Sequence, residues 1–206
     1  LVSLSSSNWS AYKATLDKVV GGVRAGLTGV KAADVQALSA DRRVLSLAVN
    51  DSSKQISGLL DSLQAAGSLV SSITRTDNEF VSVTKAQLDA FAPTLSKLSG
   101  DANLFVKQAT VADAQELTGS DYAKVGKISV SDTAAHVSQG LAQLRNNSKI
   151  DAISLSDPNS SLTLTASQLT ELDIDQATNG GNVLSKVQGG YRLAVTDADV
   201  LSLIHI

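Results

Sequence analysis

The chain contains no cysteine among its 206 residues, which excludes disulfides and thiolate metal centres. Aromatic residues make up only 3 % of it. Leu, Val, Ile and Ala therefore supply the apolar bulk, and such side chains suit thin, repeated layers better than one large central core. A basic field is missing as well. The formal charge is −3 and the pI near 5.3, with Lys and Arg scattered and never in a run. That excludes recognition of nucleic acid or anionic lipid through a charged patch. No apolar stretch approaches the ~18 residues of a membrane span. Leu1 to Leu4 already reads as a strand, and no signal peptide is visible, as is expected of a fragment.

What is present is a globular composition, 43 % hydrophobic, and an internal repeat. Val81-Ser82-Val83-Thr84-Lys85-Ala86-Gln87-Leu88, continuing through Phe91, Leu95 and Lys97, has an earlier counterpart in Val2 to Trp9, with Tyr12, Leu16 and Lys18. The two start 81 − 2 = 79 apart. A third copy, Leu162 to Leu169, follows at a step of 162 − 81 = 81. Agreement extends past this motif: Ala33 to Leu38 answers to Ala112 to Leu117, and Ile56, Leu60 and Leu63 answer to Val137, Leu141 and Leu144. Such a period is the signature of a tandem array. It divides the chain into a unit at 2–80, a second at 81–161 and an incomplete third at 162–200. Residues Leu201 to Ile206 read as the in-frame translation of a common transposase adapter. They are expected to be a sequencing scar, with His205 not a biological residue.

Each unit follows one local logic. Apolar residues two apart mark a short strand, as at Val81 and Val83. Thr84 with Gln87, and Thr165 with Gln168, form capping-box pairs, and Ser5 with Asn8 is a weaker version. Leu88, Phe91, Leu95 and Leu98 then fall on one helical face, interrupted by Pro93. A second step runs from Leu47 and Val49, through a cap at Asp51 or Ser52, to the stripe Ile56, Leu59, Leu60 and Leu63, closed by Gly67. Val111 to Val125 reads as a weaker helical turn, and the third unit carries a longer segment, Leu172 to Val183, whose Asn179-Gly180-Gly181-Asn182 core reads as a loop. Strands alternating with helices predict an α/β fold with a parallel sheet. Steps of about 20 to 27 residues in tandem predict units of about 80 residues stacked as an α/β solenoid.

Ile128 to Ala135 with Leu141 and Leu144, then Ile153 to Asp157, then Leu162 to Thr165 with Gln168, resemble the strand-rich repeats of very large bacterial secreted or surface proteins. These are described as adhesin-like or haemolysin-like, and some also carry calcium-binding nonapeptide repeats. The resemblance covers nearly the whole chain and is best in the second unit. Trp9 and Tyr12 depart from it, standing where smaller aliphatics are usual. It implies a structural or adhesive role at the cell surface or outside the cell, and it supplies no catalytic residues.

Chemistry-bearing patterns are few. His136 with Ser131 and Asp132 offers the residue types of a hydrolytic triad, but neighbours in sequence do not make triad geometry. A solvated helix histidine is the expected reading. Gly119 and Gly126-Lys127 have the wrong spacing for a phosphate loop. Asp173, Asp175, Asn179 and Asn182 place oxygen ligands around a glycine pair, the weak candidate for calcium, against a plain polar loop. Asp51 and Asp132 are read as helix caps. Trp9 and Tyr12 are read as core residues, with a sugar-stacking site as the alternative. Four Asn-x-Ser sequons are read as coincidence in a Ser-rich chain.

The resulting expectation is a non-enzymatic spacer, stalk or adhesive segment of a large bacterial extracellular protein, needing no cofactor. Its partners are neighbouring repeats of the same chain, with head-to-tail self-association through open end faces. The alternatives are a glycan- or calcium-binding module, or a non-catalytic part of a secreted hydrolase.

Overall fold

The computed structural model describes residues 2–19, 22–157, 159–174 and 183–197. The chain separates into two compact units, Leu1–Leu104 and Phe105–Ile206. Both are α/β, built from strands that alternate with helices and pair in parallel.

The first unit runs β1 (Val2–Ser5), α1 (Ser6–Leu16), β2 (Ala25–Val30), α2 (Val35–Ser39), β3 (Val44–Asp51), α3 (Ser53–Gly58), α4 (Leu60–Ala66), β4 (Val70–Arg75), β5 (Val81–Thr84), α5 (Lys85–Ala90) and α6 (Ala92–Leu95). Strands β1, β2, β3 and β4 lie side by side in chain order, each pair parallel. Leu98 adds a parallel bridge to Ile73. Sequential neighbours in a parallel sheet need a crossover between them, and the short helices supply it. In β3, Val44, Leu47 and Val49 turn inward and are at most 3 % exposed. Ile56, Leu60 and Leu63 meet them from the helical layer at 1 % or less.

The second unit repeats the plan with β6 (Leu104–Ala109), α7 (Val111–Glu116), β7 (Val125–Asp132), α8 (Ala134–Arg145), β8 (Ile150–Leu155), β9 (Ser161–Leu164), α9 (Ala166–Ile174), β10 (Val187–Gln188) and β11 (Arg192–Val195). Strands β6, β7, β8 and β10 stand in that order, and β9 pairs separately with β11. Its core repeats the first: Val137, Leu141 and Leu144 are at most 2 % exposed. Truncating any of these buried aliphatics to Ala should cost about 2–5 kcal/mol. The compact units cut across the sequence repeats, because Leu104 falls inside the second of them.

The structure corrects several local expectations. The helix expected over Leu88 to Leu98 is two helices, broken at Phe91 (φ −109°), because Pro93 sits in the first turn of α6 and cannot donate back across the break. Leu98 belongs to the sheet, not the helix. Residues 173–174, within the 173–182 stretch expected as a loop, close helix α9. The weaker turn after Val111 resolves into α7 and a 3-10 turn at Ser120–Tyr122. Tyr12 is 59 % exposed and so is not a core residue, whereas its companion Trp9 is 2 % exposed. The suspected scar at 201–206, with His205, lies outside the described residues. No helix among the described residues is long and apolar enough to cross a membrane.

Candidate functional site

The polar residues that recur with the repeat gather where strands end and helices begin. A parallel strand exits into a helix whose first backbone N–H groups have no intrahelical partner. Short side chains close these ends locally. Ser52 Oγ accepts from Gln55 N–H at 3.3 Å, and Thr133 Oγ1 from His136 N–H at 3.3 Å. Thr84 and Gln87 form the expected capping box, and Thr165 with Gln168 forms its twin.

The strand-end aspartates do something different. Asp51 Oδ2 accepts the N–H of Ala32 at 3.0 Å, at the helical entry after the preceding strand. Asp132 Oδ2 accepts from Val111 N–H at 2.9 Å in the same way. The donors are 111 − 32 = 79 apart and the acceptors 132 − 51 = 81 apart. Asp77 accepts from Ser53 N–H at 3.1 Å and Asp157 from Ala134 N–H at 2.8 Å, a second pair with offsets of 80 and 81. Asp197 closes the series on Ala166 N–H. The sequence offers Asp51 or Ser52 as the cap of the adjoining helix; Ser52 is that cap, and Asp51 and Asp132 reach the previous coil as well. Each carboxylate ties its own coil to the previous one, and Ser52 or Thr133 caps the adjoining helix.

These contacts set the electrostatics. The Ser53 hydroxyl is the main influence holding the Asp77 carboxyl below the usual carboxylate range. For Asp157 the Ala134 N–H does so. At Asp132 burial pulls upward, but the Val111 N–H, the His136 ring and the Thr133 N–H together outweigh it and the carboxyl lies low. Anionic acceptors at helix entries are also favoured by the helix dipole.

His136 is on α8 with its ring largely exposed, and its Nδ1 lies 2.7 Å from Asp132 Oδ1. The two border an open cleft of about 390 Å³ with Thr110, Val111, Gln115 and Gln139. Ser131, the hydroxyl that would complete a triad, makes no hydrogen bond to the ring. Asp132 already receives Val111 and Thr133 N–H groups, so its charge is committed to structure. Gly126 and Lys127, the phosphate-loop candidates, are strand residues of β7.

Trp9 is sealed from solvent. The Arg43 guanidinium lies over its ring, 5.0 Å from the centroid, in a cation–π arrangement. Arg43 is itself held by Asp41 at 2.8 Å and by Asp17. A buried indole beneath an ion-paired guanidinium offers no stacking platform to a sugar. For the calcium candidate, the backbone of Asp173 belongs to α9, while Asp175, Asn179 and Asn182 lie outside the described residues. Among the described residues no cluster of three or more His, Cys, Asp or Glu side chains is arranged to hold a metal.

Sequence reasoning missed Asp77, Asp157 and Asp197, and the helix serines Ser57 and Ser138. Ser57 Oγ accepts the N–H of Ser82 at 2.8 Å, and Ser138 Oγ that of Thr163 at 2.9 Å, donors and acceptors both 81 apart. The available signal was an Asp two residues past the ends of β4, β8 and β11, at Asp77, Asp157 and Asp197. Comparison with protein-family models, curated proteins and solved structures gives no match.

Proposed function

We propose that the chain is a non-enzymatic spacer or stalk segment, a tandem run of the repeat units stacked as an α/β solenoid within a large bacterial extracellular protein. The observation that carries this reading is the recurrence of coil-to-coil bonds. Asp51–Ala32 recurs as Asp132–Val111, and Ser57–Ser82 as Ser138–Thr163, each at the period of the sequence repeat. The recurring polar groups join one coil to the next. In such an array each unit touches only its neighbours, so repeat number sets length. The extracellular setting and the adhesive role rest on the resemblance of Ile128 to Gln168 to surface-protein repeats, and the lack of cysteine is compatible with them.

The test is a lengthened chain carrying a second copy of residues 81–161 after residue 161. With three strand–helix steps per unit at the ~4.8 Å spacing of neighbouring strands, small-angle scattering should show the maximum dimension growing by about 14 Å per added unit. Growth as a compact globule, with radius following roughly the 0.38 power of length, would refute the stalk.

A further inference from the structure

We propose that the outer face of β1 and α1 is a docking surface for a helical coil of the α3–α4 kind, contributed by a further repeat. The inference rests on the tandem-repeat reading above. Its evidence is internal, because the chain holds this coil both covered and open.

The covered copy is residues 81–98. Helices α3 and α4 and the turn after them lie against it through three hydrogen bonds. Ser82 N–H donates to Ser57 Oγ at 2.8 Å, Thr94 Oγ1 to Gln64 Oε1 at 2.5 Å, and Lys97 Nζ to the Gly67 carbonyl at 2.8 Å. The open copy carries the same three donor residues: Ser3, Thr15 and Lys18 stand at 82 − 79, 94 − 79 and 97 − 79. Among the described residues the Thr15 hydroxyl and the Lys18 ammonium have no hydrogen-bond partner. The backbone is set the same way in both copies. Val2 N–H donates to Arg24 O as Val81 N–H donates to Asn103 O, again 79 apart. Strand alternation then turns the Ser3 N–H to the free edge, as it turns that of Ser82 toward α3.

The apolar residues agree. Val81 is 0 % exposed and its counterpart Val2 is 47 % exposed. Leu98 is 2 % exposed, and Val19 is 46 % exposed. An open strand edge beside exposed aliphatics and unpaired donors is a surface built to be covered. What covers it can be read from the covered copy: a helical coil with a serine hydroxyl, a glutamine amide seven positions on and a free carbonyl three further. The two helices that carry the serine at this place, Ser57 on α3 and Ser138 on α8, already hold their own strands, β5 and β9. The occupant is therefore a further repeat, not a second copy of the described chain.

The experiment places residues 2–80 directly before residues 2–206, so that a Phe80–Val2 junction replaces Phe80–Val81, and follows backbone amide exchange. In the original chain the Ser82 and Thr163 amides should be protected and Ser3 should exchange nearly freely. In the lengthened chain the second Ser3 should gain at least about 100-fold protection, lost again on Ser57→Ala in the added segment. A free Ser3 beside protected Ser82 and Thr163 would overturn this inference alone, as would an added segment that does not fold. Freely exchanging Ser82 and Thr163 would overturn the repeat reading itself. Protection of Ser3 on concentrating the original chain would make the occupant a second copy and refute the choice made here.

Discussion

Asp132 joins two successive helical entries, accepting the N–H of Val111, well before it in the chain, at 2.9 Å and that of Thr133, its neighbour, at 2.8 Å. Asp51 does the same for Ala32 at 3.0 Å and Ser52 at 2.9 Å. A carboxylate serves this geometry better than a neutral acceptor, because its two oxygens accept in two directions and its charge faces both helix N-termini.

Replacing either residue by Ala should therefore destabilise the chain by about 1–2 kcal/mol, the upper part of the range for a helix cap, with similar values at the two sites. Urea denaturation of Asp51→Ala and Asp132→Ala checks this. A loss at one site and none at the other would mean the two bonds are not equivalent.

Acid should expose the same contacts. The folded-state carboxyls of Asp77, Asp132 and Asp157 lie below the usual range. A depressed folded-state pKa contributes stability that is fully present above the unfolded value of about 4. It is lost as pH falls from there through the folded values. Stability measured by urea at pH 7 and 5 should nearly agree, then fall below pH 4. The fall should be shallower when all three are Asn. An unchanged slope in that variant would remove these carboxylates from the account.

Gly140 and Val111 form a size-matched pair. A Cβ at Gly140 would sit 2.3 Å from Val111 Cγ1, so α7 and α8 approach closely only because the glycine is there. The equivalent positions in the first unit are Leu59 and Ala32, large and small exchanged. Gly140→Ala would ordinarily favour a helix by about 1 kcal/mol. Here it should instead cost about 1–3 kcal/mol through overpacking, and adding Val111→Ala should recover part of the loss. A double-mutant cycle measures the coupling; additive effects would contradict the pairing.

Much of the fold was legible because the apolar period and the caps are local. Ile56, Leu60 and Leu63 announce their helix, and Thr84 with Gln87 its start. The break at Phe91 was visible in Pro93, but its consequence was not: Leu98 leaves the helical stripe for a bridge to Ile73 that only the stacked coil provides. Tyr12 was misjudged because alignment with Phe91 says nothing about whether a preceding coil covers it. The carboxylate ladder was half legible. The sequence marks Asp51 and Asp132 as helix-entry residues, but a cap on the adjoining helix and a bond to the previous coil look alike in one dimension. Ser57 and Ser138 carried no signal, since a serine inside a helix points to no particular partner.

Excising residues 81–161, so that Phe80 runs directly into Leu162, tests the tandem-repeat account most directly. In the repeat register Leu162 stands where Val81 stood, and the Thr163 N–H meets Ser57 as that of Ser82 does. The shortened chain should fold cooperatively, with the original proportion of helix to strand by circular dichroism and a protected Thr163 amide. A chain that is unfolded or molten after this in-register excision would show that residues 81–161 are not an interchangeable unit, and would contradict the account.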